Sequence, residues 1–178
     1  IVTPHGMLDP WCMTQGRLKK QLALRAWVRP TILDGARFIH ALNTDETRGM
    51  ASLVGATPME VVPNGVFPDE LTPPDDPDAF RSSSPFLGDD PYVLFLSRLH
   101  YKKGLDVLVD AFARTQDRCP TARLVIAGPD DGYETTLNEL VADNAARERI
   151  HIVGPLYGDA KRNAIVEAAC FCLPSRQE

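Results

Sequence analysis

Several things are missing from this sequence, and each absence removes a class of function. No apolar run approaches the about 18 residues that a membrane-crossing helix requires, so no spanning segment is expected. Positive charge is in deficit: 19 Lys and Arg face 24 Asp and Glu, for a net charge of −5. Nucleic acid is therefore not an expected partner, because non-specific binding needs a basic surface. The four cysteines, Cys12, Cys119, Cys170 and Cys172, form no C-x-x-C pair, and no histidine pair lies near them at zinc spacing. A structural metal site is not expected, and reduced thiols in a reducing cytosol are the simpler reading. Cys170 and Cys172 would share one face of a strand and be buried there as small hydrophobes. No GxxxxGK[ST] occurs, no GxGxxG follows any strand, and there is no internal repeat, so P-loop and dehydrogenase phosphate sites are absent.

What remains is an ordinary globular composition, 44% hydrophobic and 24% charged, with a regular second half. From residue 92 onward apolar strands alternate with amphipathic helices. "YVLFLS" (92–97), "RLVIAG" (123–128), "IHIV" (150–153) and "CFCLP" (170–174) read as strands. "GLDVLVDAFART" (104–115), "ETTLNELVADNAARE" (134–148) and "DAKRNAIVEAA" (159–169) read as the helices between them. Leu105, Leu108, Val109 and Phe112 share one helical face. Doubly apolar strands joined by helices imply an α/β fold, a parallel sheet covered on both faces and wound right-handedly in the Rossmann manner.

The first half is looser. Residues 17–33 suggest a basic amphipathic helix interrupted at Pro30, and residues 37–43 a strand. Asn43 and Glu46 fit an N-cap with a capping-box glutamate, opening a helix. Residues 60–63 suggest a short strand before an Asn64-Gly65 turn. The stretch 67–91, crowded with Pro, Asp and Ser, reads as an inter-domain linker. The expected organisation is thus part of one Rossmann-like domain over 1–66, a linker over 67–91 and a second, incomplete domain over 92–178. Only two clear strands precede the linker, and no covering helix follows the last strand. The chain is accordingly expected to be the middle of a two-domain protein, inactive alone.

In open parallel sheets ligands bind outside the carboxyl ends of the strands. The candidate site therefore comprises the loops "SRLHYKKG" (97–104), "GPDDGY" (128–133), "GPLYG" (154–158) and "PSRQE" (174–178). Arg98 and Lys103 flank a helix start at Gly104, where two cations and a close backbone approach would suit a diphosphate. A solvated basic turn is the plainer reading of Lys102-Lys103-Gly104 taken alone. The acidic pairs Asp75–Asp76, Asp89–Asp90 and Asp130–Asp131 read as turn chemistry rather than metal ligands. Asp130 and Tyr133, just after a strand, remain candidates for lining the site. His40 reads as a packed histidine, and the basic helix as a solvated face, with contact to an anionic lipid acceptor as its second reading.

"LFLSRLHYKKGLDVLVDAF", "LVIAGPDDGY" and "LPSRQE" resemble, in order, the C-terminal-domain motifs of the retaining family 4 glycosyltransferases (glycosyltransferases group 1) of GT-B fold. "PHGMLDPW" (4–11) resembles that family's active-site histidine segment, and "VVPNGV" (61–66) the segment before its inter-domain hinge. The resemblance implies two Rossmann-like domains with a nucleotide-diphosphate sugar in the cleft between them, transferred with retention of configuration. It matches Arg98 and Lys103 to the cations on the donor diphosphate. His5 matches the histidine beside the transferred sugar, and Glu178 the first of the family's two signature glutamates. Gly104, Gly128, Asp130, Tyr133, Leu156 and Tyr157 are matched more weakly to the donor and nucleotide site. The family's chemistry implies no metal or other cofactor, a glycan or lipid-linked acceptor, and a cytoplasmic protein able to associate peripherally with the inner face of the membrane. The alternative is a non-catalytic nucleotide- or sugar-binding module on the same fold. A dehydrogenase or epimerase is disfavoured by the missing glycine fingerprint.

Overall fold

The computed structural model describes residues 1–8, 10–14, 17–68, 72–76 and 78–176. The chain divides into two compact units, Ile1–Phe67 and Pro68–Glu178.

In the first unit, helices α1 (Pro10–Thr14) and α2 (Arg17–Ala23) precede a π-helical stretch, Leu24–Leu33. The interruption expected at Pro30 does not occur. The helix widens instead, and the Asp34 N–H donates to the Arg29 carbonyl oxygen five residues back, the π pattern that lets the coil pass a proline lacking its own N–H. Strand β1 (Ile39–Ala41), helix α3 (Thr44–Val54) and strand β2 (Met59–Val61) form a parallel β-α-β unit in which Ile39 pairs with Met59. Val2 adds a further parallel bridge to Ile39. The strand is shorter than expected because Asn43 already caps α3, its Oδ1 accepting from the Glu46 N–H at 2.8 Å. Ile39, Ala41, Met50, Val54 and Leu33 are buried together as the core. Asn64-Gly65, expected as a turn, lies in an exposed stretch without regular structure.

The second unit holds a four-stranded parallel sheet of β3 (Tyr92–Leu96), β4 (Arg123–Ala127), β5 (Ile150–Gly154) and β6 (Cys170–Phe171), in the order β5-β4-β3-β6. Strict alternation divides its core. Phe95, Leu124 and Ile126 pack on one face with Leu105, Leu108 and Phe112 of helix α5 (Leu105–Ala113) and Leu137 of α6 (Glu134–Ala142). Tyr92, Leu94, Val125 and Ala127 pack on the other with Phe80, Leu87 and Ala164. These come from α4 (Ala79–Ser82), the short 3-10 turn Pro85–Leu87 and α7 (Gly158–Glu167). Residues 79–90, expected as linker, therefore belong to this unit's second layer. The Glu167 carboxylate fixes them by accepting from the Phe80 and Arg81 N–H groups at 2.9 and 3.0 Å.

Two further expectations shift. Helix α6 stops at Ala142 rather than continuing to residue 148, because the Asn144 side chain accepts from the Ala146 N–H at 2.8 Å and competes with the helix. Cys170, expected to be buried, is exposed on β6, an edge strand of the described sheet, while Cys172 is half-buried. All four cysteines are unpaired. Among the described residues no helix is long and apolar enough to cross a membrane.

Candidate functional site

The strand order locates the crevice of the second unit. The chain steps from β3 to β4 and β5 on one side, then crosses back to β6 on the other. The reversal falls between β3 and β6, and a parallel sheet opens its ligand crevice outside the carboxyl ends of the strands at such a reversal. The loops after β3 and β6 flank it.

The loop after β3 touches the loops after β6 and β4 because two glycines permit it. A Cβ on Gly104, whose φ is 67°, would run into the carbonyl oxygen of Pro174 after β6. A Cβ on Gly128 would likewise meet the carbonyl oxygen of Ser97 after β3. Arg176 adds a side-chain clamp. Its backbone N–H donates to the Lys102 carbonyl oxygen at 2.7 Å, its Nη1 to the Tyr101 carbonyl oxygen at 2.7 Å and its Nη2 to Asp106 Oδ2 at 2.5 Å. The Arg176 hydrogen bond, opposed by burial and aided by backbone N–H groups, holds the Asp106 carboxyl below the usual carboxylate range. Asp106 Oδ1 is buried without a partner.

The residues singled out in the sequence take distinct places around this crevice. Arg98 lies just past β3, with Nη1 2.7 Å from Asp131 Oδ2; the two side chains are 65% and 42% exposed. Such an open ion pair contributes little to stability, at most about 1 kcal/mol, so Arg98 can exchange its carboxylate for another anion. Lys103, half-buried, ends the 3-10 turn Tyr101–Lys103, and Gly104 then opens α5. The turn holds because Lys103 N–H donates to the His100 carbonyl oxygen at 2.9 Å. Arg98 and Lys103 thus arrive on one loop beside a helix N-terminus, where an anion is favoured.

Asp130 has a structural task. Its Oδ1 accepts from the N–H groups of Gly132, Tyr133 and Glu134 at 3.0, 2.9 and 2.9 Å, capping the start of α6. The Tyr133 and Glu134 N–H groups chiefly lower its pKa. Tyr133 packs half-buried on the core; burial, then the Asp106 charge, raises its phenol pKa. Leu156 and Tyr157 follow β5, two strands away from the β3–β6 reversal. Leu156 is half-buried in the second core face, and Tyr157 is 71% exposed. Glu178 lies outside the described residues.

His5 belongs to the first unit. Its φ of 47° makes it the one non-glycine residue with positive φ among the described residues. Gly6 follows at φ 74°, and the Met7 N–H closes the turn on the Pro4 carbonyl oxygen at 3.0 Å. Two left-handed central residues match a type I′ turn, and a non-glycine residue there costs about 1–2 kcal/mol. A mainly apolar cavity of about 320 Å³ follows this turn, lined by Met7, Leu8, Met13, Lys20, Leu24 and Val28 among others. His40 Nε2 lies 2.6 Å from the Val62 carbonyl oxygen, tying β1 to the end of β2. Among the described residues no three His, Cys, Asp or Glu side chains group to hold a metal ion.

The sequence reading missed Arg176, Asp106 and Asp131. Asp131 appeared only within a turn pair, and Arg176 as one cation of a loop, because pairings between distant loops leave no local pattern.

The loops after β3, β4 and β6 meet at glycine-built contacts, with two cations on the first, and residues 76–178 match the glycosyl transferases group 1 family. The chain belongs to that family. It is 31% identical over 99% of its length to a GDP-mannose-dependent alpha-(1-6)-phosphatidylinositol monomannoside mannosyltransferase of Mycobacterium tuberculosis, covering 44% of that protein. It is 28% identical over 67% of its length to the phosphatidylinositol N-acetylglucosaminyltransferase gpi3 subunit of Schizosaccharomyces pombe, covering 24% of it. The chain therefore spans less than half the length of these relatives. Among solved structures it superposes on Anabaena HepE in complex with UDP and glucose, with a TM-score of 0.77 and 20% identity over 98% of this chain and 45% of the other. WaaG, a glycosyltransferase involved in lipopolysaccharide biosynthesis, gives 0.71 and 17% over 86% and 42%. These likenesses show the GT-B type of α/β fold.

Proposed function

We propose that the whole protein is a glycosyltransferase that moves a sugar from a nucleoside-diphosphate sugar to an acceptor with retention of configuration. The observation that carries this reading is the second unit's β3 loop. Arg98 and Lys103 stand on it beside the N-terminus of α5, at the reversal of the sheet. The diphosphate binds the two cations and the α5 amides. As the sugar–phosphate bond breaks, charge grows on the leaving diphosphate, and fixed cations stabilise it. His5 is assigned to the transferred sugar and Glu178 to the donor, both through the family resemblance. Gly104 and Gly128 allow the backbone to approach the donor; Tyr133, Leu156 and Tyr157 line the nucleotide side. No divalent metal is needed, because the cations supply the compensating charge.

A lipid-linked or glycan acceptor fits best. The relatives named above act on phosphatidylinositol-type acceptors by their names. The first unit carries an apolar cavity beside the His5 turn and a helix with Arg17, Lys19, Lys20, Arg25 and Arg29. Action in the cytoplasm, peripheral at the inner membrane face, accords with this.

The test is titration of the whole protein with UDP-, GDP- and ADP-sugars in a chelator, followed by acceptor assays with product anomer determined by NMR. Saturable binding of one donor and transfer with retention are expected. Failure to bind any donor, or inversion of the anomer, would overturn the corresponding part of the reading.

A further inference from the structure

A capping-box glutamate ordinarily turns back to the N–H of its own N-cap residue. Glu46 does not. It stands in the first turn of α3, capped by Asn43, but its carboxylate reaches out of the helix. Oε2 accepts from the Leu42 N–H at 2.6 Å, and Oε1 accepts from the Gly6 N–H at 2.8 Å, 40 residues away. One carboxylate thereby ties the start of α3 to the turn that carries His5.

That turn needs an external tie. His5 is held at φ 47° with Gly6 at 74°, and a non-glycine residue in this region persists only where its surroundings over-determine it. The Met7-to-Pro4 hydrogen bond closes the turn from within. Val2 fixes its entry: the His40 N–H donates to the Val2 carbonyl oxygen at 2.8 Å beside β1. Glu46 fixes the far side, on the amide immediately after His5. Both hydrogen bonds are charge-assisted, the stronger kind.

We propose that Glu46 is the positioning residue for His5: its carboxylate fixes the left-handed His5–Gly6 turn and so sets the rate of sugar transfer. The proposal rests on the assignment of His5 to the transferred sugar. Glu46→Gln is the informative variant, since it keeps the shape and one acceptor oxygen but turns an NH₂ group towards one of the two backbone donors.

The experiment compares wild type, Glu46→Gln, His5→Ala and the double variant in the whole protein, by steady-state transfer and by amide hydrogen exchange. Glu46→Gln is expected to lower kcat by about 10- to 100-fold, as misplacement of a reacting group does, with donor KM unchanged. In the His5→Ala background it should cost nothing further, and the Gly6 amide should exchange faster in Glu46→Gln. An equal loss in both backgrounds would make Glu46 a purely structural residue and overturn the proposal. So would unchanged exchange at Gly6, or an unchanged kcat. If His5→Ala alone leaves transfer intact, the assignment of His5 fails and the positioning role falls with it, while the donor site of the second unit is untouched by that result.

Discussion

Arg176 Nη2 and Asp106 Oδ2, 70 residues apart in the chain, meet at 2.5 Å and fasten the loop after β6 to the first turn of α5. The same guanidinium also reaches the Tyr101 carbonyl oxygen, so one side chain braces both walls of the β3–β6 crevice. Arg176→Ala should loosen the crevice and weaken donor binding, measured by calorimetry. The pair also predicts an acid response. Because the Asp106 pKa is depressed below its ordinary 3.8, chiefly by Arg176, its contribution is present above that value and lost as pH falls through the folded-state pKa. The Tm difference between wild type and Arg176→Ala should therefore be larger at neutral pH than below pH 3.8. A difference that stays constant would show that the pair is not the source.

A second pH response comes from His151. Its ring stacks on Phe86 at a centroid distance of 4.2 Å, with Arg123 beside it. Burial, then the Arg123 charge, lowers its pKa from 6.5. The folded protein thus resists protonation: its stability is full above about pH 6.5 and declines as pH falls below that value. Thermal melts between pH 7.5 and 5 should show this decline, and His151→Gln should flatten it. An equally steep decline in the variant would place the titrating group elsewhere.

Gly104 and Gly132 separate strain from close approach. Both have positive φ, 67° and 83°, but only Gly104 faces a backbone atom, the Pro174 carbonyl oxygen. Gly132→Ala should cost about 1 kcal/mol, the penalty of a left-handed alanine. Gly104→Ala should cost more and also weaken donor binding, because the loop bearing Arg98 and Lys103 must move. Equal losses in denaturant melts would show that the Gly104–Pro174 contact is dispensable.

The second unit was legible in the sequence because its strands are apolar on both faces and its helices carry one apolar stripe. Tyr92, Leu94 and Phe95 announce a doubly covered strand whichever neighbour lies beside it. The first unit was less legible for the opposite reason. Pro30 signals a helix break unless π-type pairing carries the backbone past it, and nothing local reveals that. Phe80 and Leu87 were hidden in a stretch whose Pro and Asp content reads as linker, although with Ala164 of α7 they cover one face of the sheet. At the site, the loop positions of Arg98, Lys103 and Gly104 were readable from strand ends alone. Glu46 was readable as a helix cap, but not as a partner of Gly6, since the partner lies in a distant loop. Asp130 was readable by its place after a strand, but its capping of α6 was not.

Asp131 holds Arg98 at 2.7 Å in an exposed ion pair. A donor diphosphate must compete with that carboxylate for the guanidinium. Asp131→Asn should therefore bind donor more tightly, by a few-fold and at most about tenfold, since exposed pairs contribute about 1 kcal/mol or less. Weaker binding in the variant, read by calorimetry, would mean that Asp131 orients Arg98 rather than competing for it.

On the proposed reading the β3 loop grips a donor diphosphate through Arg98 and Lys103. The most direct measurement is the donor Kd of the whole protein with Arg98→Ala and Lys103→Ala, each checked for an unchanged Tm. Loss of a charge-assisted contact should weaken binding by about 10- to 100-fold for each, with turnover falling by about 10²–10³. Wild-type donor affinity in both variants would show that the diphosphate is not held by these two cations.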